Sequence, residues 1–355
     1  MKKYIGLEDM SQVNCASVLR VIQEHGEISR KQISDMTGLS WGGMTKIVNK
    51  LFEHKYIIEE KSGTLGGAGR IPGMLSIHKE KHLVAGVDIN KTGLSAYVTD
   101  LSGGIKQQYF EENIYTGKEE LLQNILDFFQ KIFGDFTDGK IEAAGIAMQG
   151  GIDAEHGLSV SFPGCKSWRD VPLINILKER FGAALYLEHD PDCMLCSELE
   201  HVDADHVILF RIDQSIGMAV SLNGRILRGN GILEVAHSIV IPGGKPCKCG
   251  LSGCLEAYVE PCIQNGRIDE RAVEELVCPL AVTIHNMTGI FNADMVILTG
   301  NLMKFSSVFE KQLISELQDM QGDKEIEVRF QDDTRSAVRG AALIAARHAV
   351  ESIKL

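Results

Sequence analysis

Alternating strands and helices from residue 82 onward, preceded by two short helices joined by a glycine-containing turn, predict an α/β protein with an N-terminal winged helix-turn-helix. A third observation is an internal echo. GVDINKTGLSAYVTDLSGGI and LFRIDQSIGMAVSLNGRI both read as strand, Asp-bearing turn, strand, turn, as two lobes of a duplicated domain would.

VNCASVLRVIQE places Val13, Ala16, Val18, Leu19 and Ile22 at helical spacing, which predicts an amphipathic helix over 13–24. Ser29 is a good N-cap for RKQISDM, a short helix expected to turn Ile33 and Met36 inward. Thr37-Gly38-Leu39 is the turn. Ser40 caps a second helix with Met44, Ile47, Val48 and Leu51 on its inner face. YIIEEKSGTLGGAGRIPGMLSI reads as strand, glycine-rich tip, strand, a wing, and the glycine-rich stretch 63–73 is the natural linker. HLVAGVDIN, GLSAYVTD and IKQQYFEENI form three strands of an antiparallel meander. A helix (EELLQNILDFFQKIF) and the strand EAAGIAMQ come next, then a helix over 171–181, a strand over 184–188 and a helix over 191–201. VILFRID and GMAVSL pair. The C-terminal part runs helix 269–291, strand MVILTG, helix 304–319, strand IEVRF, helix 336–350.

At 355 residues the chain is long enough for two or three compact units. A hydrophobic content of 44% and a charged content of 24% fit an ordinary globular protein. No run of eighteen apolar residues offers a membrane span. Glu8, Asp9, Asn14 and Arg20 break the first thirty residues, which therefore lack a signal-peptide core, so a cytoplasmic location and no membrane partner are expected. The net charge of −12 is unevenly placed: residues 1–80 carry +2, leaving −14 for the rest. An acidic protein of this kind meets DNA only through a local basic face, here N-terminal.

In that compartment nine cysteines are not a disulfide framework. His237 with Cys247, Cys249 and Cys254 supplies an imidazole and three thiolates, enough to close a tetrahedral zinc site with no place left for water. Zn²⁺ in such a site is structural. Gly250 and Gly253 let the loop bring Cys254 back. The alternative is three cysteines packed on a loop.

GNGILEVAHSIVIPGGKPCKCGLSGCLEAY resembles the signature region of the ROK (repressor, ORF, kinase) family, and the likeness extends to GIAMQGGID, SFPGCKSW, LYLEHDPD, VILTG and RGAALIAA. With its helix-turn-helix, the chain is more similar to the sugar-responsive repressors of that family than to its sugar kinases. The resemblance implies an actin-like (ribonuclease H-like) two-lobed ROK domain over 81–355, after a winged helix-turn-helix and linker over 1–80. The first lobe lies near 81–190, with the C-terminal helix returning to it, and the second, with the zinc loop, near 191–335. It also implies a sugar site made of Ser161, His189, Asp190, Glu234, His237 and Glu256. Asp190 stands where family kinases keep their catalytic base, His189 and Ser161 where Asn is usual. The chemistry suits a polyol, since carboxylates accept from two hydroxyls at once. Asp190 also reads as a helix N-cap before PDCMLCSELE.

The resemblance breaks at the nucleotide. The family kinases' Asp-x-Gly-Gly-Thr reads Asp88-Ile89-Asn90-Lys91-Thr92 here. Their Gly-Thr-Gly-Ile-Gly reads Asp213-Gln214-Ser215-Ile216-Gly217, and Gly-Gly-Gly reads Thr299-Gly300-Asn301. Bulk at 90 and 91 and the charge of Asp213 are expected to keep ATP out. Arg30, Lys31, Ser40, Trp41, Thr45, Lys46 and Lys50 are the expected DNA contacts, with Arg70 of the wing reaching a minor groove. The expectation is a non-enzymatic homodimer or homotetramer on operator DNA, with a sugar as effector. The alternatives are a ROK-family sugar kinase with Asp190 as base, or a sugar sensor without a DNA role.

Overall fold

The structure, a computed structural model, describes residues 7–60, 73–136, 141–228, 233–264, 267–304, 307–321, 326–333, 335–353 and 355. Helix α1 (Leu7–His25) begins six residues earlier than its apolar spacing predicts. Cys15, Val18, Leu19 and Ile22 form its buried i, i+3, i+4, i+7 line, whereas Val13 lies off that line and is 60% exposed. Strand β1 (Ile28–Ser29) leads into α2 (Arg30–Thr37). The Ser29 hydroxyl accepts from the Gln32 N–H while the Ser29 N–H donates to the Gln32 side chain, a capping box. Gly38, at φ 67°, ends the helix in the left-handed region. Ile33 is buried, but Met36 is exposed, against expectation: a helix of two turns touches the core along one line only, through Ile33. Ser40 caps α3 (Trp41–Glu53), which buries Met44, Ile47, Val48 and Leu51 as its spacing predicts.

Strands β2 (Ile57–Glu60) and β3 (Met74–Ile77) pair from Ile57↔Ile77 to Glu60↔Met74, and β3 also pairs with β1. These are the two strands of the wing. All but Gly73 of the glycine-rich stretch between them lies outside the described residues.

The winged helix shares one core with the neighbouring α/β fold. Its buried residues pack with Val84, Leu101 and Ala143, and with Ala345, Ala346, Ala349 and Val350 of the C-terminal helix. His82 fastens the joint: its ring stacks on Tyr56 at 3.6 Å, Nε2 lies 2.8 Å from the His54 carbonyl, and Nδ1 lies 2.7 Å from the Glu142 carboxylate. Burial, with Glu142 nearby, pushes the Tyr56 hydroxyl up to about 12. Arg20 pairs with Glu351 across the same joint.

Two compact units result. One comprises Met1–Gly150, Ala154–Glu188 and Ala341–Leu355; the other comprises Gly151–Asp153 and His189–Gly340. In the first, β4 (Leu83–Ile89), β5 (Gly93–Asp100) and β6 (Ile105–Glu112) form the expected antiparallel meander. Helix α4 (Lys118–Gly134) crosses to β7 (Ile141–Met148), parallel to β4, and β11 (Ala184–His189) completes the order β11-β7-β4-β5-β6. Two strands that sequence reasoning misses, β9 (Leu158–Phe162) and β10 (Cys165–Val171), pair antiparallel before α5 (Leu173–Phe181).

The second unit takes in the short strand β8 (Ile152–Asp153) and α6 (Asp190–Glu198). Its sheet contains β12 (Val207–Ile212), β13 (Ile216–Leu222), β14 (Arg225–Ile226), β17 (Met295–Thr299) and β18 (Glu327–Phe330). Between them lie α7 (Glu256–Val259), the hairpin of β15 (Ile263–Gln264) and β16 (Arg267–Ile268), α8 (Glu270–Phe291) and, after β17, α9 (Ser307–Gln321). Helix α10 (Ser336–Glu351) closes the chain. The order β18-β17-β12-β13-β14 repeats that of the first unit strand for strand. That repetition is the duplicated actin-like architecture the internal echo foreshadows.

Candidate functional site

The loop before α7 gathers His237, Cys247, Cys249 and Cys254, whose ligand atoms all lie within 4.8 Å of one another. Cys249 Sγ is 3.6 Å from Cys254 Sγ, and Cys247 Sγ is 3.5 Å from His237 Nδ1. A zinc tetrahedron with Zn–S near 2.3 Å and Zn–N near 2.0 Å has S–S edges of about 3.8 Å and S–N edges of about 3.5 Å. The cluster fits the ion. Backbone pairing holds it: Ile239 bridges Cys254, Pro246 bridges Ser252, and Gly253 donates to Lys245 O. Gly253 sits at φ 83°, and a Cβ there would lie 1.8 Å from the Ile241 carbonyl, so only glycine allows the return of Cys254.

Behind the loop, α7 opens with Glu256, whose carboxylate accepts from Ser215 Oγ at 3.2 Å and the Ile216 N–H at 3.3 Å. Burial raises its pKa above the usual carboxylate range. Glu234 and His237 are exposed, on either side of the buried pair Val235-Ala236. His189 ends β11 and is the N-cap of α6, so Asp190 lies one position inside the helix rather than at the cap. Burial lowers the His189 pKa, and its Nδ1 has no hydrogen-bond partner among the described residues. Gly217 backs this ring: a Cβ there would come within 2.8 Å of Pro191. Asp190 is 2% exposed and paired with Arg211, whose other nitrogen reaches Asp213 at 2.6 Å. Sequence reasoning misses Arg211, because nothing local to it signals a partner 21 residues away. Ser161 lies on β9 of the first unit.

The loops that correspond to phosphate sites are satisfied from within, each in its own unit. In the first, Asn90 Oδ1 accepts from the N–H groups of Thr92 and Gly93 and from the Thr92 hydroxyl, each at 3.0 Å. Lys91 N–H donates to Gln149 Oε1, Asn90 N–H to Gly93 O, and Asn90 Nδ2 to the buried Asp88. All four amides of residues 90–93 are thus used. In the second, Asp213 Oδ1 accepts the Asn301 N–H at 2.6 Å while Oδ2 holds Arg211. Bulk and repulsion are the obstacles that the sequence predicts. In this geometry side-chain oxygens also occupy backbone amides of both loops, those of Thr92, Gly93 and Asn301.

On the winged helix, Lys31 and Lys46 are exposed and Lys50 is half-buried. Arg30 pairs with Glu59 and lies 5.9 Å from the centre of the Phe52 ring, fastening α2 to the hairpin. Ser40 spends its hydroxyl as the cap, and Thr45 donates its hydroxyl to the Trp41 carbonyl at 2.8 Å. Trp41 is exposed. Arg70 lies outside the described residues.

A winged helix joined to a duplicated actin-like domain with internally filled phosphate loops defines a two-part class: a DNA-binding fold on a kinase-like scaffold. Residues 84–266 match the ROK family, and residues 17–57 match a winged helix-turn-helix DNA-binding family. The chain belongs to the ROK family. It is 23% identical over 348 residues to the xylose repressor of Caldicellulosiruptor bescii, covering 86% of this chain and 87% of that one. It is 27% identical over 286 residues to the dual regulator NagC of Escherichia coli, covering 77% and 68%. In structure it is similar to a ROK family transcriptional regulator described as a homologue of E. coli Mlc, with a TM-score of 0.80, 18% identity and coverage of 96% and 97%. A ROK hexokinase from Thermus thermophilus matches with a TM-score of 0.64 and 22% identity over 75% of this chain and 99% of that one. No described helix is long and apolar enough to cross a membrane.

Proposed function

We propose that this protein is a sugar-responsive transcriptional repressor that binds operator DNA through its winged helix and a sugar through its second unit. The observation that carries the reading is the combination of a winged helix with phosphate loops whose donors are already consumed. The names of the relatives, xylose repressors and NagC, give the effector class: a pentose, hexose or N-acetylhexosamine. His189, Asp190, Glu234, His237 and Glu256 are the sugar-recognising groups in this reading. Lys31, Lys46 and Lys50 hold phosphates, and Trp41 faces bases, with Arg70 in the wing. A structural zinc on His237, Cys247, Cys249 and Cys254 ties the sugar-side His237 to the loop. The working form is a cytoplasmic homo-oligomer on a two-fold operator.

Against a kinase, the Asp190 carboxylate is already occupied by the Arg211 guanidinium rather than left open to a sugar hydroxyl. The test separates the two activities. Glu256→Gln should lose the sugar response and keep DNA binding, whereas Lys46→Ala should weaken DNA binding and keep sugar affinity. Calorimetry with the sugar and a gel-shift titration with the operator read both. Equal damage to both activities by both substitutions would defeat the proposal.

A further inference from the structure

The chain has two tryptophans. Trp168 is 1% exposed and its indole N–H donates to Ser159 Oγ at 2.8 Å. Trp41 is 60% exposed, and its side chain makes no ring contact or hydrogen bond among the described residues. A ring of that size left in water loses the burial that stabilises tryptophan elsewhere. It opens α3, the second helix of the helix-turn-helix, directly after the cap Ser40. By helical spacing it continues the inner line of Met44, Val48 and Leu51, yet it lies beyond the end of the core that covers them.

The residues beside it sharpen the point. Gly42 is exposed, and a Cβ built there meets nothing within 4 Å; at Gly43 the only neighbour is the Ser40 hydroxyl, at 3.3 Å. The front of the helix therefore presents one flat apolar ring beside bare backbone. The hydroxyls of Ser40 and Thr45 are each engaged within the helix, Ser40 accepting the Gly43 N–H and Thr45 donating to the Trp41 carbonyl, whereas the Trp41 ring is not. Exposed Lys31 and Lys46 supply charge complementary to phosphate. In such a motif the N-terminal residues of the second helix meet base edges in the major groove, where the thymine C5-methyl is the apolar group on offer.

We infer that Trp41 reads thymine, by packing its indole on the C5-methyl of one base in each half-site, with Gly42 and Gly43 leaving room for the duplex to approach. The inference rests on the DNA-binding reading above and adds the base class and the residue that selects it.

The test uses the full chain and a pool of random-sequence duplexes. The selected site is resynthesised with each thymidine replaced in turn by deoxyuridine, which removes only the methyl. The wild type should lose about fourfold in affinity at one thymine per half-site, the value of one buried CH₂-sized group. Trp41→Ala should bind the thymine and uracil duplexes equally well, and Trp41→Phe should keep part of the difference. A uracil penalty unchanged in Trp41→Ala, or no penalty at any thymine in the wild type, overturns the inference while leaving sequence-specific binding intact. Failure to select any sequence overturns the DNA-binding reading and this inference with it.

Discussion

Removing one zinc ligand should cost the second unit a large part of its stability. Cys249→Ser replaces an exposed thiolate that lies 3.6 Å from Cys254 and changes no buried packing. A structural zinc contributes roughly 10–16 kcal/mol of apparent binding energy, which in a loop of this kind is folding energy, so one ligand of four carries about 3 kcal/mol. The loop's remaining supports are a few backbone bonds, from Cys247 N–H to Leu251 O and from Gly250 N–H to Cys247 O among them. Behind it Cys254, Leu255 and Val259 belong to the core of the second unit, so loosening the loop uncovers that core. For a unit of this size a loss of that order lowers the melting temperature by roughly 6–12 °C. Elemental analysis of protein purified without chelator should give one zinc per chain, falling in Cys249→Ser, and calorimetry should follow the melt. A zinc-free wild type, or a variant that melts with it, would refute the reasoning.

The filled loops predict that Asn90→Gly with Asp213→Gly exposes the amides of residues 92, 93 and 301 and raises the affinity for Mg-ATP by tenfold or more, since a hydrogen bond to a charged group contributes about 1.5–3 kcal/mol. Calorimetric titration checks it, and unchanged affinity would mean the donors are not what excludes the nucleotide. Burial lowers the His189 pKa in the folded protein, whereas the unfolded chain takes up that proton near pH 6.5. The stability tied to the neutral ring is thus complete above about pH 6.5 and is lost as the pH falls below it. Urea midpoints at pH 5.5 and 7.5 should differ less in His189→Asn than in the wild type; an equal difference would count against the assignment.

What the sequence discloses here is what is local. Ser29 and Ser40 announce their caps because the accepting groups lie three residues away. The cysteine cluster is legible because most of its ligands fall within one short loop. Strand β10 escapes because its buried residues, Cys165, Trp168 and Val171, recur every third position across an irregularity in the ladder, so a search for period-two alternation misses it. Arg211 and the internal role of Asp213 depend on β12, α6 and the turn after β17 meeting in space, which no window of sequence contains. Asp213 is legible as a charge in a phosphate loop, but its occupation of the Asn301 amide is not. The winged helix reads correctly as a motif, yet its shared core with α10 and the His82 joint only folding reveals.

The central claim is that sugar binding controls DNA binding without chemistry on the sugar. The direct measurement is the operator affinity of the full chain, by fluorescence anisotropy, across pentoses, hexoses and N-acetylhexosamines, with Mg-ATP present and sugar phosphate assayed in the same samples. The account predicts that one sugar shifts operator affinity by about 5–150-fold, the range of ordinary allosteric coupling, with no phosphorylated product. Affinity indifferent to every sugar, or steady phosphorylation of any of them, would contradict it.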